Sequence, residues 1–269
     1  MKPGHLTSAA YRLAVWVTLF FVLTPLLAVI WVSGFSNKII SFPPQGYSLD
    51  WYANAWRIEN FRDGFLLSLK VSLLATLFGL LVGVPAALAL VRGRFAGKGL
   101  ISTVLMSPMM IPGVVAGSAL YVYFIQFELL TTWQLAATFP GLVGAHSVLT
   151  VPWIVRLVTA SLMSNGSNIE EAALNLGATP WTVLRRITLP MARPGLVAGG
   201  LFSFIVSFTD LEKSIFLVGP GSTTLPIAIV NYLEWNLDPT VSAVATVQIL
   251  MIGVALVFSD RYVKLSRAF

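Results

Sequence analysis

Residues 168–195 read NIEEAALNLGATPWTVLRRITLPMARPG, a compact polar segment in a chain that is otherwise strongly apolar. Asn168, followed three residues later by Glu171, is typical of a capped helix start, in which the Asn side chain bonds the first turn and the carboxylate reaches back. Gly177 then supplies the left-handed residue with which many helices end. The first half of the segment therefore predicts one short, capped helix.

The second half of the segment predicts another short helix. Thr179 and Pro180 form a helix start with proline at the first helical position. This helix should end before Pro190, because a residue that precedes proline is pushed out of the α region. Small and bulky apolar side chains lie together around the turn: Ala172, Ala173, Leu174, Leu176 and Trp181. We interpret the pair of helices as a docking hairpin; a hairpin that rests on the membrane face is the alternative.

Composition places this hairpin in a membrane protein. Of the 269 residues, 57% are hydrophobic and only 10% are charged, and the mean hydropathy is +0.82, whereas a soluble domain carries about 25% charged residues. Four stretches without a charged residue are each long enough to cross a bilayer: 13–37, 71–91, 99–127 and 239–259. The sequence contains no cysteine for disulfides or thiolate metal sites, and its net charge of +6 indicates membrane topology rather than a nucleic-acid partner.

We place six membrane spans at about 13–34, 66–91, 100–126, 138–163, 194–218 and 240–261. The first is too long for the apolar region of a secretory signal, so we treat it as a retained span. Lysine and arginine then collect in the loops on one side, which the positive-inside rule assigns to the cytoplasm together with both termini. The prediction is an all-α integral membrane protein, a single domain over 1–269, with a cytoplasmic loop at 164–193 between spans four and five.

Span three contains residues that break and pack helices. Pro108 and Pro112 each remove a backbone hydrogen bond and favour a kink. Such breaks are tolerated in membranes where protein or water satisfies the freed carbonyl groups. Gly113 and Gly117 are spaced for close helix packing. We therefore expect span three to pack against neighbouring helices or a cavity rather than wholly against lipid.

The hairpin resembles the EAA loop of permease subunits from binding-protein-dependent ABC importers. That motif runs E-A-A, three residues, G, nine residues and I-x-L-P, and the matching positions here are Glu171, Ala172, Ala173, Gly177, Ile187, Leu189 and Pro190. The likeness covers nearly the whole chain. RGRFAGK after span two, MSPMMIPGVVAG in span three and VGPGSTTLPIAIVNYL after span five are similar to the spermidine/putrescine permease branch of these type I importers.

The resemblance implies that 168–180 forms a coupling helix that docks on a separate ATP-binding subunit. The residues assigned to this contact are Glu170, Glu171, Ala172, Ala173, Leu174, Leu176, Gly177, Ala178, Ile187, Leu189 and Pro190. The sequence has no G-x-x-x-x-G-K-[ST] phosphate loop, so ATP and Mg²⁺ are expected on two copies of that partner, with no catalytic residue, metal or cofactor on this chain. The resemblance further implies a second permease subunit, identical or related, an extracytoplasmic substrate-binding protein, and a location in the bacterial inner membrane.

Ionisable side chains at membrane depth are costly and mark candidate functional sites. Asp210 shares a helical face with Lys213 and with Ser214, whereas the adjacent Glu212 and Lys213 cannot face each other. We predict that the translocation pathway is lined by Pro112, Arg156, Thr209, Asp210 and Glu212. Polar packing between subunits is the alternative for Asp210, and anchoring at the membrane surface is the alternative for Arg156.

Two outer loops carry candidate contacts. The loop 35–65 is rich in aromatic side chains, which suits a segment at headgroup level; a docking surface for an external partner is the alternative. In the loop 219–239, the candidates for contact with the external binding protein are Tyr232, Glu234 and Trp235.

The branch that the chain resembles implies a polyamine or similar small amine as substrate. Its members often carry acidic residues near Asp210, but Thr209 departs from a paired-carboxylate version. Amino-acid-like solutes, opines, aminophosphonates and ferric iron stay open, because the binding protein sets much of the specificity. A secondary transporter working alone is disfavoured by the lack of an inverted repeat. An enzyme is disfavoured because only two histidines and no H-E-x-x-H or G-x-S-x-G motif are present; we expect His146 to be a polar packing contact.

Overall fold

The computed structural model describes residues 5–164, 166–219 and 221–263, which contain helices and loops and no β-strand. Contacts between residues divide the chain into two compact units. One unit comprises Met1–Arg62 and Ile229–Gly253, and the other comprises Asp63–Ala228 and Val254–Phe269. The expectation of a single domain over 1–269 stays a prediction.

The helices of the described residues are α1 (His5–Val32), α2 (Asp50–Arg57), α3 (Glu59–Arg92), α4 (Lys98–Met106), α5 (Gly113–Thr131), α6 (Phe139–Ser164), α7 (Asn168–Asn175), α8 (Pro180–Val183), α9 (Leu189–Met191), α10 (Arg193–Phe208), α11 (Ser214–Leu217), α12 (Leu225–Leu233) and α13 (Thr240–Val263). Within the described ranges, five helices are long and apolar enough to cross a membrane alone: α1, α3, α5, α6 and α13. The helical segment Pro180–Met191 and α10 together pass the same test of length and apolar composition, but the two are bent by 61°.

Span three is broken rather than kinked, so the predicted helix over 100–126 is wrong in its bounds. Helix α4 is followed by a 3₁₀ turn, Ser107–Met109, and the crossing helix α5 begins only after Pro112. Pro112 has an extended backbone, with ψ at 133°. Proline has no N–H to donate to the preceding turn, so the chain leaves the helix here and restarts at Gly113.

Span five is shorter than the predicted 194–218. Helix α10 ends at Phe208, and its 16 residues extend about 24 Å. The carboxylate of Asp210 accepts hydrogen bonds from the backbone N–H groups of Lys213 and Ser214. A side chain that bonds nearby backbone in this way competes with helix continuation. Helix α11 then begins at Ser214.

Helix α6 is central to the unit that contains it, because it packs between α3 and α10. The hydroxyl of Thr150 donates to the carbonyl of Ala75 on α3 at 2.9 Å, and Ser203 on α10 donates to the carbonyl of Thr150 at 3.0 Å. Gly195 on α10 lies so close that a Cβ atom there would be 2.6 Å from the carbonyl oxygen of Leu157. Small and hydroxylated residues thus allow close helix approach, as is usual in membranes.

The other unit contains α1 and the aromatic outer segment. No residue of α1 from Tyr11 to Val32 is buried. After α1, the indole of Trp51 donates to the carbonyl of Phe35 at 2.6 Å, and the hydroxyl groups of Ser33 and Tyr52 lie 2.7 Å apart. Phe42 and Trp56 stay largely exposed. The segment is therefore folded on itself while presenting aromatic rings outward, and its place at headgroup level stays a prediction.

Candidate functional site

The hairpin predicted to couple to an ATP-binding subunit (the coupling hairpin, residues 164–193) contains α7, but its first cap differs from the prediction. Ser167, not Asn168, is the N-cap, and the helix starts at Asn168. The Ser167 hydroxyl donates to a carboxylate oxygen of Glu171 at 2.7 Å, and the Ser167 carbonyl accepts from the Glu171 N–H at 3.0 Å. The Ser167 side chain makes no hydrogen bond to a backbone N–H of the first turn, so the predicted side-chain cap is not formed and the bond between the Ser167 and Glu171 side chains stands in its place.

The turn after α7 has the predicted left-handed glycine. Gly177 has a φ of +87°. Its N–H donates to the carbonyl of Leu174 at 2.9 Å, and the N–H of Ala178 donates to the carbonyl of Ala173 at 3.0 Å. These two bonds form a Schellman motif, which satisfies the last carbonyl groups of the helix. The turn is therefore rigid and depends on the conformation of one residue.

The second helix starts as predicted and ends later. Thr179 is the N-cap, its hydroxyl accepts from the N–H of Thr182 at 3.3 Å, and Pro180 occupies the first turn. The predicted end before Pro190 is wrong, because a π turn, Leu184–Thr188, continues the helix into α9. The wider π turn changes the hydrogen-bond register just before the proline, which has no N–H to donate.

Most of the predicted coupling residues lie at the surface of the hairpin. The exposed ones are Glu171, Ala172, Leu174, Leu176 and Gly177, and the half-buried ones are Ala173, Ala178, Ile187, Leu189 and Pro190. Large apolar side chains are exposed among and beside them: Leu174 at 44%, Leu176 at 89%, Ile169 at 58% and Trp181 at 69%. Apolar anchors on a rigid, small-residue surface suit contact with another protein.

Glu170 is the exception among the predicted coupling residues. Its side chain is buried, one carboxylate oxygen lies 2.7 Å from Nε of Arg92, and the other accepts a hydrogen bond from Thr188 at 2.8 Å. The structure therefore does not support a direct contact between this carboxylate and a partner subunit. The sequence pattern missed Arg92 and Thr188, because neither lies near Glu170 along the chain.

Asp210 and Lys213 form the centre of a polar cluster at the end of α10. Lys213 Nζ lies 3.3 Å from Asp210 Oδ1, and their side chains are 10% and 7% exposed. The other Asp210 oxygen accepts from the N–H of Ser214 at 3.1 Å and from its hydroxyl at 3.2 Å. The pairing of Asp210 with Lys213 and Ser214, which sequence spacing predicted, is confirmed, although on a capped turn rather than on a continuous helix.

His146 extends this cluster into α6, as a polar packing contact. Its Nδ1 lies 2.7 Å from the hydroxyl of Ser207, and its Nε2 lies 3.1 Å from the hydroxyl of Ser214. The cluster therefore joins α6, α10 and α11 through buried hydrogen bonds, which favour one defined arrangement of the helices.

The structure brings the start of α5 against the turn after α10. A Cβ atom at Gly113 would overlap the exposed side chain of Glu212, and one at Gly117 would lie 2.8 Å from the Cα atom of Lys213. Close packing at both glycines is thus confirmed. Pro112, which precedes Gly113, therefore lies beside the segment that carries Glu212, and the negative carboxylate at a helix N-terminus is favourable.

The last two pathway candidates occupy different places. Thr209 is exposed, and its hydroxyl donates to the carbonyl of Ile205 at 2.9 Å. Arg156 is also exposed, but it lies ten residues beyond His146 on α6, which corresponds to about 15 Å along the helix. Thr209, Asp210 and Glu212 thus lie in the turn between α10 and α11, Glu212 lies beside the start of α5 next to Pro112, and Arg156 is separate from them.

The three candidates for contact with a binding protein lie at the end of α12. Trp235 is 85% exposed and Glu234 is also exposed. Tyr232 is half-buried: its ring packs on Phe61, and its hydroxyl donates to Asp238 at 2.8 Å. Burial raises the pKa of Tyr232, and the Asp238 carboxylate acts in the same direction. Glu234 and Trp235 are therefore available to a partner, whereas the Tyr232 hydroxyl is used internally.

We expect Asp210→Asn to lower the free energy of unfolding by about 1.5–3 kcal/mol, because the Lys213 ammonium loses its charged acceptor. Thermal unfolding of the purified protein in detergent measures this effect, and unchanged stability would contradict it. The double variant Asp210→Asn/Lys213→Met removes both charges and should recover most of the loss. Solute uptake that stays low in the stable double variant assigns Asp210 to the pathway, whereas uptake that returns with stability assigns it to packing.

Known proteins resemble this chain over nearly its whole length. PotC, the spermidine/putrescine transport system permease protein of Escherichia coli (strain K12), is 30% identical over 260 residues, covering 97% of this chain and 94% of PotC. PotI, the putrescine transport system permease protein of the same strain, is 30% identical over 87% of this chain and 83% of PotI. The putative 2-aminoethylphosphonate transport system permease protein PhnV of Salmonella paratyphi A is 34% identical over 87% of this chain and 85% of PhnV.

A solved structure shows the same fold. A chain of the bacterial alginate ABC transporter, crystallised in complex with alginate pentasaccharide-bound periplasmic protein, superposes with a TM-score of 0.68 at 20% identity. The match covers 96% of this chain and 95% of that chain. Residues 75–266 match the family described as binding-protein-dependent transport system inner membrane component. The chain belongs to this family and is a multi-pass permease subunit of an ABC importer.

Proposed function

We propose that this permease forms half of an import pathway for a polyamine or similar small amine and is powered through its coupling hairpin. The exposed hairpin surface, held by the Schellman turn at Gly177, is the observation that carries the proposal. A rigid surface with apolar anchors is what docking of an ATP-binding subunit requires, and PotC, PotI and PhnV are all transport permeases. ATP and Mg²⁺ belong to that subunit, in two copies, and this chain contributes no catalytic residue, metal or cofactor.

The rest of the assembly follows from the same proposal. A second permease subunit completes the pathway, and an external binding protein delivers the solute to the outer side, where Glu234 and Trp235 are exposed. The hairpin and both termini face the cytoplasm, in agreement with the distribution of lysine and arginine, and the membrane is the bacterial inner membrane. The chain acts as one permease domain.

The substrate proposal rests on two features. PotC and PotI carry names for spermidine and putrescine transport. At the helix break near Pro112, the exposed Glu212 carboxylate offers an acceptor for an ammonium group. PhnV, named for 2-aminoethylphosphonate, favours that amine as the second candidate.

The test is uptake of labelled putrescine by cells that express this permease with the genes of its transport system, together with co-purification of the ATP-binding subunit. We expect saturable, ATP-dependent uptake that unlabelled spermidine reduces. Uptake of labelled 2-aminoethylphosphonate instead of putrescine would show that the proposed substrate is wrong, while the proposed coupling to an ATP-binding subunit would stand. Failure of the wild-type permease to retain any ATP-binding subunit would overturn the coupling function.

A further inference from the structure

One buried carboxylate ties the coupling hairpin to other parts of its unit. Glu170 lies on the inner side of α7, and its Oε2 atom is 2.7 Å from Nε of Arg92, the last residue of α3. Its Oε1 atom accepts a hydrogen bond from the hydroxyl of Thr188 at 2.8 Å. Thr188 is buried and closes the π turn that leads through α9 into α10. The two oxygen atoms of Glu170 therefore hold two different helical segments.

The guanidinium group of Arg92 adds a third segment. It donates to the carbonyl of Gly166 at 2.6 Å and to the carbonyl of Leu162 at 3.3 Å. Carbonyl groups at the end of a helix lack partners within that helix, so Arg92 supplies donors where α6 ends. Both of these hydrogen bonds come from one terminal nitrogen of the planar guanidinium group, while its Nε lies against Glu170 as an ion pair. Arg92 thus connects the ends of α3 and α6 with the start of α7.

The cluster lies behind the exposed side of α7, so it is placed to transmit movement of this helix and not to contact a partner directly. Ile169 on α7 and Leu176 directly after it are exposed, whereas Glu170 on α7 is buried. A partner that moves the outer side of α7 therefore also moves the carboxylate that holds Arg92 and Thr188. Separating a buried charge pair leaves a charge without compensation, which is strongly unfavourable. The segments should therefore move with α7 as one body.

We propose that Arg92, Glu170 and Thr188 are positioning residues that transmit displacement of the coupling helix to α3 and α10. This inference rests on the proposed docking of an ATP-binding subunit on the hairpin. None of the three residues needs to touch that subunit. Their role is to keep nucleotide-driven motion of the hairpin connected to α3 and α10.

The test uses the complete importer reconstituted in proteoliposomes, with its ATP-binding subunits and binding protein, and labelled putrescine as the probe. Glu170→Gln keeps an oxygen acceptor for Thr188 and removes the charge that Arg92 requires. We expect the number of ATP molecules hydrolysed per putrescine transported to rise about fivefold or more, which is the low end of allosteric coupling. Retention of the ATP-binding subunit should stay close to that of the wild type, and the melting temperature should fall only slightly, because the half-buried Arg92 side chain keeps its two carbonyl acceptors.

Two further variants separate transmission from folding. Arg92→Lys keeps the positive charge but loses the several donors of the guanidinium group, and it should raise the number of ATP molecules hydrolysed per putrescine to a smaller extent. The charge-exchanged pair Arg92→Glu/Glu170→Arg restores opposite charges, so its ATP-per-putrescine ratio should be lower than that of the Arg92→Glu or the Glu170→Arg single variant. Arg94→Gln, at an exposed arginine of the same loop, is the matched control and should leave the ratio unchanged. If Glu170→Gln and Arg92→Lys hydrolyse as many ATP molecules per putrescine as the wild type, the proposal is overturned. It is also overturned if transport falls only in proportion to a fall in the melting temperature. If the wild type retains no ATP-binding subunit, the docking function itself has failed.

Discussion

Gly177→Val is expected to lower solute uptake about tenfold or more while leaving membrane insertion intact. Gly177 has a φ of +87°, and this left-handed conformation costs an ordinary L-residue about 1–2 kcal/mol, with a β-branched side chain among the least tolerated. A Cβ atom there would meet no atom within 4 Å, so the effect comes from the backbone and not from a clash. A free-energy cost of about 1.4 kcal/mol lowers an equilibrium constant tenfold, so the hairpin of the valine variant would adopt this turn much less often.

The measurement is labelled putrescine uptake, with the amount of ATP-binding subunit that co-purifies as the second readout. Gly177→Asn is the matched control, because asparagine enters the left-handed region more readily than other residues with a side chain. Asparagine should therefore retain most of the uptake. Equal behaviour of the valine and asparagine variants would show that the backbone conformation of this turn does not control coupling.

Gly195→Val is expected to have the largest effect on stability. A Cβ atom at Gly195 would lie 2.6 Å from the carbonyl oxygen of Leu157, 2.6 Å from Cβ of Ser161 and 2.9 Å from Cα of Val158. These atoms belong to the backbone of α6 or lie next to it, so they cannot rotate away. We expect destabilisation at the upper end of the roughly 1–3 kcal/mol typical of overpacking, because α10 must separate from α6.

Thermal unfolding in detergent and the yield of folded protein measure this effect. Gly144→Ala is the control, since Gly144 also lies within α6 and a Cβ atom there would meet no atom within 4 Å. Alanine is also the better helix former, so this variant should be as stable as the wild type or slightly more stable. A Gly195→Val protein with unchanged melting temperature would contradict the close packing of α6 and α10.

The hairpin shows which parts of the site could be predicted from sequence. The stop at Gly177 and the start at Thr179 and Pro180 were predicted correctly, because each depends on backbone groups within a few residues. The N-cap was misplaced from Ser167 to Asn168, since neighbouring polar residues can cap the same helix and only the contact with Glu171 distinguishes them. The end before Pro190 was also misplaced, because a π turn is a rare alternative that local preference does not reveal.

The membrane spans show the same division. Apolar stretches predicted which segments are long enough to cross a bilayer, since burial in hydrocarbon acts on every residue of a span. They did not reveal that Pro112 ends one helix and starts another, or that Asp210 stops α10 after Phe208. Both outcomes depend on alternative partners for backbone groups, which hydropathy does not report.

By itself, the sequence determined that this protein is helical, that several segments are apolar enough to cross a membrane, and that the hairpin helices stop at Gly177 and restart at Thr179, because hydropathy and turn residues act locally along the chain. Only the tertiary structure decided that Glu170 faces inward to Arg92 and Thr188, and that His146 joins Asp210 through Ser214. These contacts connect residues that are far apart in sequence. Whether one of two adjacent carboxylates is buried or exposed depends on the groups that the fold places beside it.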